Sequence, residues 1–483
     1  MGNGLTTRVL SGAGWVSSIK IVEKILSLLK IYIIARLLEP SDFGLFSAAL
    51  LVIGAAEVFT RMGFNEAVIH KQSKINHHLH VAYWIQLFRG VMIVFFVFQV
   101  SPMISDFFVM EELEDIVNIT VVGFLLVSIR SAGLIVLMKT LDFRRYSLLL
   151  FGGFIINFIT SVFLAYQLRS VWALVIGYIA GEFFITIFSY VAHNYRPKFE
   201  FNISAFKEMF GFGIWLFLAS LISYISLHAD KWVVGKFLTA DLLGIYSMAA
   251  VISTTLVLSI VKPVSDILKS AYSKIQNDQV KLEMAIEKVY VSVSVPVFPM
   301  VVLSVFYVEE IVSLVLGSGW FEVSRIMPIL LIANFMIFLT TVITPMFIAK
   351  ARTKINFQLQ LLSSVVFLAT VYPLFTLYGL NGIAIAYMIM CLSGFLYSYY
   401  SVAKMVDLFF PFIRGLFPAF VSSLFMLVAF IILSNSPLYL AVLVGCVVYV
   451  GSLIVFYVFL KKYSYFNNVV DTVVLMLKRK LLT

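Results

Sequence analysis

The stretch ARLLEPSDFGLFSAA at 35–49 returns, altered, as GKFLTADLLGIYSMA at 235–249. A shift of 200 lays Arg36 over Lys236, Gly44 over Gly244, Phe46 over Tyr246 and Ser47 over Ser247, and it also brings Trp15 onto Trp215. Further along, RRYSLL at 144–149 and SVWALVIGY at 170–178 fall, at a shift of 209, on TKINFQ at 353–358 and GLNGIAIAY at 379–387. Two matches at nearly one spacing indicate a duplication. Both copies run in the same direction, so two similar halves with a plane between them are expected.

Apolar residues make up 61% of the 483, charged residues only 12%, and mean hydropathy is +1.02. A soluble domain averages roughly 45 to 50% apolar and about 25% charged, so a water-facing fold could not hide this much apolar surface. The chain reads as a polytopic membrane protein. Strand alternation is absent and apolar runs of about 20 residues are common, which selects an all-α helix bundle over a barrel, because each backbone polar group must be satisfied within the segment. Cys391 and Cys446 sit in separate apolar runs and read as small core residues, with no disulfide or metal pair. The opening MGNGLT formally fits a myristoylation pattern but is too short to carry that reading, and no cleavable signal is evident.

Runs long enough to cross about 30 Å of hydrocarbon place helices near 11–38, 42–69, 79–101, 115–139, 146–168, 171–193, 208–236, 242–271, 286–308, 323–349, 355–377, 380–403, 411–434 and 437–460, about fourteen in all. Charge supports that count. Joins after even-numbered helices carry Lys71 and Lys74, Arg144 and Arg145, Arg196 and Lys198, Lys274 and Lys281, Arg352 and Lys354, then Lys404. Joins after odd-numbered helices carry Glu39 and Asp42, then Glu111, Glu112 and Glu114, then Glu309 and Glu310, with nothing charged near 378 or 436. Cytoplasmic joins are the basic ones, so both termini are expected in the cytoplasm, and the net charge of +10 reflects topology and anionic lipid rather than nucleic acid. The domains expected are an N-lobe at 1–193, a cytoplasmic linker at 194–207, a C-lobe at 208–403, and two added helices with a basic tail at 404–483. None of these leaves room for a separate catalytic domain.

In the first helix Lys20, Glu23, Lys24, Ser27 and Lys30 fall within an arc of roughly 140°. One charge facing lipid at mid-depth costs about 2.5 to 3.5 kcal/mol, so this stripe must face protein or water. Glu57 and Arg61 lie one turn apart in the second helix, either as an internal ion pair or as part of a site. Arg89, Arg130, Glu182, Asp230, Lys262 and Asp266 follow in later helices. The intramembrane charges lean cationic, which points to a hydrated central cavity holding an anionic group. The candidate cavity residues are Lys20, Glu23, Lys24, Lys30, Glu57, Arg61, Arg89, Arg130, Lys262 and Asp266. Arg36, Lys139, Lys231, Lys236 and Lys269 read as snorkelling helix ends. His70, His77, His78 and His80 read as an ordinary solvated loop, since no carboxylate or cysteine pattern supports a metal. There is no GxxxxGK[ST] stretch and hence no basis for ATP-driven pumping by this chain.

Several stretches in order resemble a known family: ARLLEPSDFGLFSAALLVIGAAEVFTRMGFNEAVI at 35–69, AYSKIQND at 271–278, LGSGW at 316–320 and AKARTKINF at 349–357. They resemble the polysaccharide-transporter branch of the oligosaccharide flippases, the Wzx-like O-antigen and exopolysaccharide exporters of the multidrug/oligosaccharidyl-lipid/polysaccharide (MOP) superfamily. The resemblance implies a bacterial inner-membrane protein with two MATE-like six-helix lobes and two added helices. The implied cargo is an undecaprenyl-pyrophosphate-linked repeat unit, turned to the periplasmic leaflet by alternating access. Glycosyltransferases and a polymerase are implied as neighbours in the pathway. A cationic cavity suits the pyrophosphate, with Lys20, Lys24, Arg61 and Lys262 on the helices where such flippases carry cations. Coupling to a proton or cation gradient is compatible with the superfamily, and Glu23, Glu57 or Asp266 could carry it. Three rivals remain open: a drug or cation antiporter on the same fold, a membrane-embedded polysaccharide polymerase or ligase, and a structural assembly factor. The cationic stripe and the added helix pair weigh against the antiporter. The short outer joins weigh against the enzyme, and the buried charges against a purely structural part.

Overall fold

A computed structural model of the protein describes residues 2–60, 75–140, 142–199 and 203–460. Among them every regular element is helical. The chain runs as α1 (Gly2–Ile34), α2 (Pro40–Thr60), α3 (Ile75–Phe108), α4 (Leu113–Ile129), α5 (Gly133–Lys139), α6 (Phe143–Leu168) and α7 (Trp172–Ala192). It continues as α8 (Ile203–Phe237), α9 (Ala240–Lys274), α10 (Gln279–Phe306), α11 (Val308–Val315) and a 3-10 turn at Ser318–Trp320. The remainder is α12 (Val323–Ile343), α13 (Pro345–Ala349), α14 (Thr353–Tyr378), α15 (Leu380–Ala403), α16 (Phe409–Ile432) and α17 (Leu438–Leu460). Eleven of the described helices are long and apolar enough to cross a membrane, or twelve when the bent pair α4 and α5 is taken as one span. α1 and α8, with 33 and 35 residues, fall outside that set although they have the length.

The described residues form two compact units, Met1–Ser247 with Ser313–Trp320, and Met248–Val312 with Phe321–Thr483. In the first, α6 and α7 lie close enough that a Cβ on Gly181 would come within 2.8 Å of the Gly153 carbonyl oxygen. Small residues let two apolar helices meet at backbone distance where lipid gives no hydrophobic drive. The α1–α2 turn seats on this pair through Ile34, Leu38, Ala165, Ala173 and Leu174. Asp42 of α2 accepts a hydrogen bond from Val171 N at 2.7 Å, which satisfies a free amide at the start of α7. The segment after α7 is pinned to α3: Trp84 Nε1 donates to Lys198 O at 2.8 Å, while Lys198 N donates to His80 Nδ1 at 3.2 Å. Tyr195 Oη also lies 2.9 Å from that His80 nitrogen, and burial pushes the Tyr195 phenol above its ordinary pKa. His78 and His80, expected in a solvated loop, are instead buried in the first turns of α3.

In the second unit tyrosines hold helices together through backbone carbonyls. Tyr290 of α10 donates to Leu339 O at 2.8 Å and Tyr449 of α17 donates to Val295 O at 2.6 Å. Pro299 lies four residues beyond Val295 and has no N–H to give it. The Tyr449 hydroxyl supplies the missing donor and ties α17 to α10. Tyr272 Oη lies 3.3 Å from Val342 O, close to where α12 passes through Thr344 into α13 at Pro345, and the two together make the one span, Val323–Ala349, expected at 323–349. Cys391 is buried and Cys446 exposed, and both are free thiols.

Candidate functional site

The α1 stripe is solvent- or lipid-accessible at one end and engaged at the other. Lys20 is exposed, Glu23 and Lys24 are half-buried, and Lys30 Nζ donates to Asn157 Oδ1 on α6. A lysine in the middle of an apolar helix is tolerated when a neighbouring helix offers an acceptor. Lys30 meets that condition inside the first unit.

A second charged centre lies where the span expected at 115–139 breaks. α4 stops at Ile129, Arg130 takes an extended backbone (φ −55°, ψ 144°), and α5 starts at Gly133 at 62° to α4. Breaking a helix frees carbonyls that must find donors within the protein. Here each does. Thr186 Oγ1 donates to Leu126 O at 2.8 Å, Gln86 Nε2 to Val127 O at 2.9 Å, and the Tyr190 hydroxyl to Ile129 O at 2.5 Å. Ser131 N donates to Ser189 Oγ at 3.0 Å. The donors come from α3 and α7, which flank the break on two sides.

Arg130 projects from this break and pairs with Glu182 of α7. Its charge is also felt by Glu57 of α2, Tyr146 of α6 and Tyr178 of α7, so three helices bring polar groups to one guanidinium. Arg89 of α3 lies with its guanidinium carbon 6.0 Å from the Phe124 ring centroid. The first unit thus gathers Arg130 and Glu57 from the expected set and adds Glu182. Of the remaining candidates, Lys262 is exposed on the part of α9 in the second unit, Arg61 lies outside the described residues, and so does the Asp266 side chain.

The repeated stretch forms its own junction. A Cβ on Gly44 would lie 1.8 Å from Ala240 O, and one on Gly244 would lie 1.8 Å from Pro40 O, so the two copies cross backbone to backbone at their shared glycine. Their shared cations behave alike as well. Arg36 Nη2 donates to Leu314 O at 2.8 Å, and Lys236 Nζ donates to Phe107 O at 2.8 Å, each at the C-terminal end of a helix, where carbonyls lack partners. Aromatic rings complete both sides. Trp320 Nε1 donates to Ala35 O at 2.8 Å and its ring meets Phe43 edge-on, while Phe108 stacks on Trp232. Beside this junction Asp230 is buried and accepts from the Tyr246 hydroxyl at 2.8 Å.

Residues 33–325, more than half of the chain, match the family described as polysaccharide biosynthesis protein. The chain belongs to that family. Among curated relatives it is 22% identical over 404 residues to the lipopolysaccharide biosynthesis protein WzxC of Escherichia coli K12, covering 83% of this chain and 82% of the relative. It is 22% identical over 355 residues to the teichuronic acid biosynthesis protein TuaB of Bacillus subtilis 168, covering 73% and 74%. Its fold matches that of the lipid II flippase MurJ in an inward closed conformation, with a TM-score of 0.75 at 17% identity over 92% of this chain and 99% of that one. It also matches an inward-facing MATE multidrug transporter, with a TM-score of 0.61 at 15% identity over 79% and 95%. The expected MATE-like membrane bundle is therefore the fold of this member of the polysaccharide biosynthesis family.

The charged centres of this family member were unevenly foreseen. Arg130 and Glu57 were singled out from the sequence, but Glu182 was noted only as one more intramembrane charge. Its signal was present: a lone carboxylate in the apolar run WALVIGYIAGEFFITIFSYVA needs a cation. Arg36 and Lys236 were expected to snorkel, and they reach helix-end carbonyls instead.

Proposed function

We propose that this protein moves lipid-linked oligosaccharides across the bacterial inner membrane, from the cytoplasmic to the periplasmic leaflet, by alternating access. The observation that carries the reading is Arg130, a guanidinium held at a helix break inside an apolar bundle whose relatives are named for lipopolysaccharide and teichuronic acid biosynthesis. The cargo is an undecaprenyl-pyrophosphate-linked repeat unit, whose diphosphate matches the forked donors of arginine. Lys24, Lys30, Arg61, Arg89 and Lys262 are the further cations proposed to meet the cargo, with Lys20 at the entrance. Glu23, Glu57 and Asp266 are the proposed ion-coupling carboxylates. All fourteen long segments, α1 and α8 included, cross the membrane in this proposal. Both termini are cytoplasmic, and glycosyltransferases and a polymerase act before and after the transport step.

Reconstitution into vesicles tests this, with a labelled undecaprenyl-pyrophosphate oligosaccharide and accessibility in the opposite leaflet as the readout. Wild-type protein is expected to move the label, and Arg130→Ala and Lys24→Ala to slow it about tenfold or more, the weight of one lost charge contact. Movement that survives both substitutions would keep the flippase and discard the cationic contacts. A protein that moves no lipid but carries a cationic dye would instead be an antiporter, the other activity found on this fold.

A further inference from the structure

We propose that Asn157 is a positioning residue that holds the Lys30 ammonium through a neutral acceptor, so that the charge stays uncancelled and receives a phosphate-class anion between α1 and α6. The proposal rests on the reading of the protein as a carrier of anionic lipid-linked sugars.

Packing fixes Asn157 first. Gly153, Asn157 and Ser161 recur at four-residue spacing and line one face of α6. On α7, a Cβ on Gly181 would come within 2.9 Å of the Asn157 Cβ, and one on Gly177 would collide with Ser161 Oγ. Helix α7 thus lies against the root of the Asn157 side chain, while the amide reaches α1 and accepts from Lys30 Nζ. The amide must present its oxygen there, because an ammonium has only donors.

Arg130 and Lys30, both in the first unit, are held in opposite ways. Arg130 has a carboxylate against it, that of Glu182. Lys30 has an amide, and no charged group among the described residues acts on it. Glu23, the nearest carboxylate along α1, lies seven residues away, roughly 10 Å along the axis. A lone cation in an apolar bundle is costly, and an aspartate at 157, of the same shape, would relieve that cost. The asparagine occupies one ammonium donor and leaves the charge. The other ammonium N–H groups and those of the amide have no acceptor among the described residues, so the pair presents donors only. Such a pair attracts an oxyanion and repels a cation. Lys30 and Asn157 are half-buried, which leaves a small headgroup a way in.

Two substitutions keep the hydrogen bond and remove only the net charge. Asn157→Asp turns the acceptor into a counter-ion, and Lys30→Gln keeps an N–H donor in place of the ammonium. If the pair merely ties α1 to α6, both variants should bind anions as wild type does. If it holds an anion, each should weaken binding of inorganic diphosphate about tenfold, read by calorimetry on detergent-solubilised full-length protein. Both also relieve a lone charge, so both are expected to unfold at or above the wild-type temperature. Wild-type binding by either variant, or a lower unfolding temperature in both, overturns the proposal. In wild-type protein a small amine-acylating reagent should modify Lys30, and diphosphate should protect it, as read by peptide mass spectrometry. No modification, or modification that diphosphate leaves unchanged, overturns the proposal without any variant. Geranyl diphosphate should protect better than inorganic diphosphate, whereas equal protection would keep the site and assign it to a free anion. Protection of Lys30 in a protein that moves no lipid-linked sugar supports the site and counts against the flippase reading alone. Movement of the labelled lipid that Asn157→Asp leaves at the wild-type rate counts against the site alone.

Discussion

At the junction of the two repeat copies, Gly44 and Gly244 each face a carbonyl oxygen where any side chain would put a carbon. The obstructing atoms are backbone, so neither can turn aside. Gly44→Ala or Gly244→Ala is expected to lower stability by about 1–3 kcal/mol, the usual cost of overpacking, seen as a lower unfolding temperature in detergent. The control is Gly319→Ala, where a Cβ would meet nothing within 4 Å. The sequence placed these two glycines in register but gave no sign that they touch, because a repeat shift reports ancestry and not proximity. Lys30 shows the same limit. Its place on the charged arc of α1 was legible, but its acceptor, Asn157, lies 127 residues away on another helix. Helical periodicity says which way a side chain points and nothing about what waits there.

The helices themselves were the most readable level, since apolar runs of membrane-crossing length mark most of them directly. The break between α4 and α5 was not readable. Residues 130–132 are Arg, Ser and Ala, with no proline, and the first glycine falls at 133, so local propensity gives little reason to stop at Ile129. What ends the helix is tertiary: side chains of α3 and α7 offer donors to its last carbonyls, which helix continuation would otherwise satisfy. Tyr190→Phe removes the donor to Ile129 O and leaves that carbonyl without its partner. The expected cost is about 1–3 kcal/mol, with faster amide exchange confined to residues near 127–133. Uniformly faster exchange along α7 would mean that Tyr190 acts through general packing rather than through the break. The Pro299 gap in α10 follows the same logic with the opposite legibility, because the proline is plain in the sequence while its remedy, Tyr449, is not.

For the whole molecule, composition and the resemblance together sufficed for class, fold and family. The site was legible only as a list of charges without neighbours. Their grouping depends on how helices distant in sequence pack, and among the described residues Arg130 and Glu57 of the expected set come together within the first unit. Topology remains a prediction of charge bias. Single cysteines at Glu112 and at Lys274, in a background lacking Cys391 and Cys446, should react from opposite faces of intact cells. Glu112→Cys should be labelled by an impermeant maleimide outside, and Lys274→Cys only after permeabilisation. Labelling of both from outside would remove the basis for placing the termini in the cytoplasm.

The segment Ser313–Trp320 has a consequence for synthesis. It belongs to the first unit, where Leu314 receives Arg36 and Trp320 covers Phe43 and caps Ala35, although the rest of that unit ends at Ser247. The ribosome must therefore make α10 and α11 before the α1–α2 turn can close. Until residue 320 has emerged, the α1–α2 turn lacks both the carbonyl that receives Arg36 and the ring that meets Phe43.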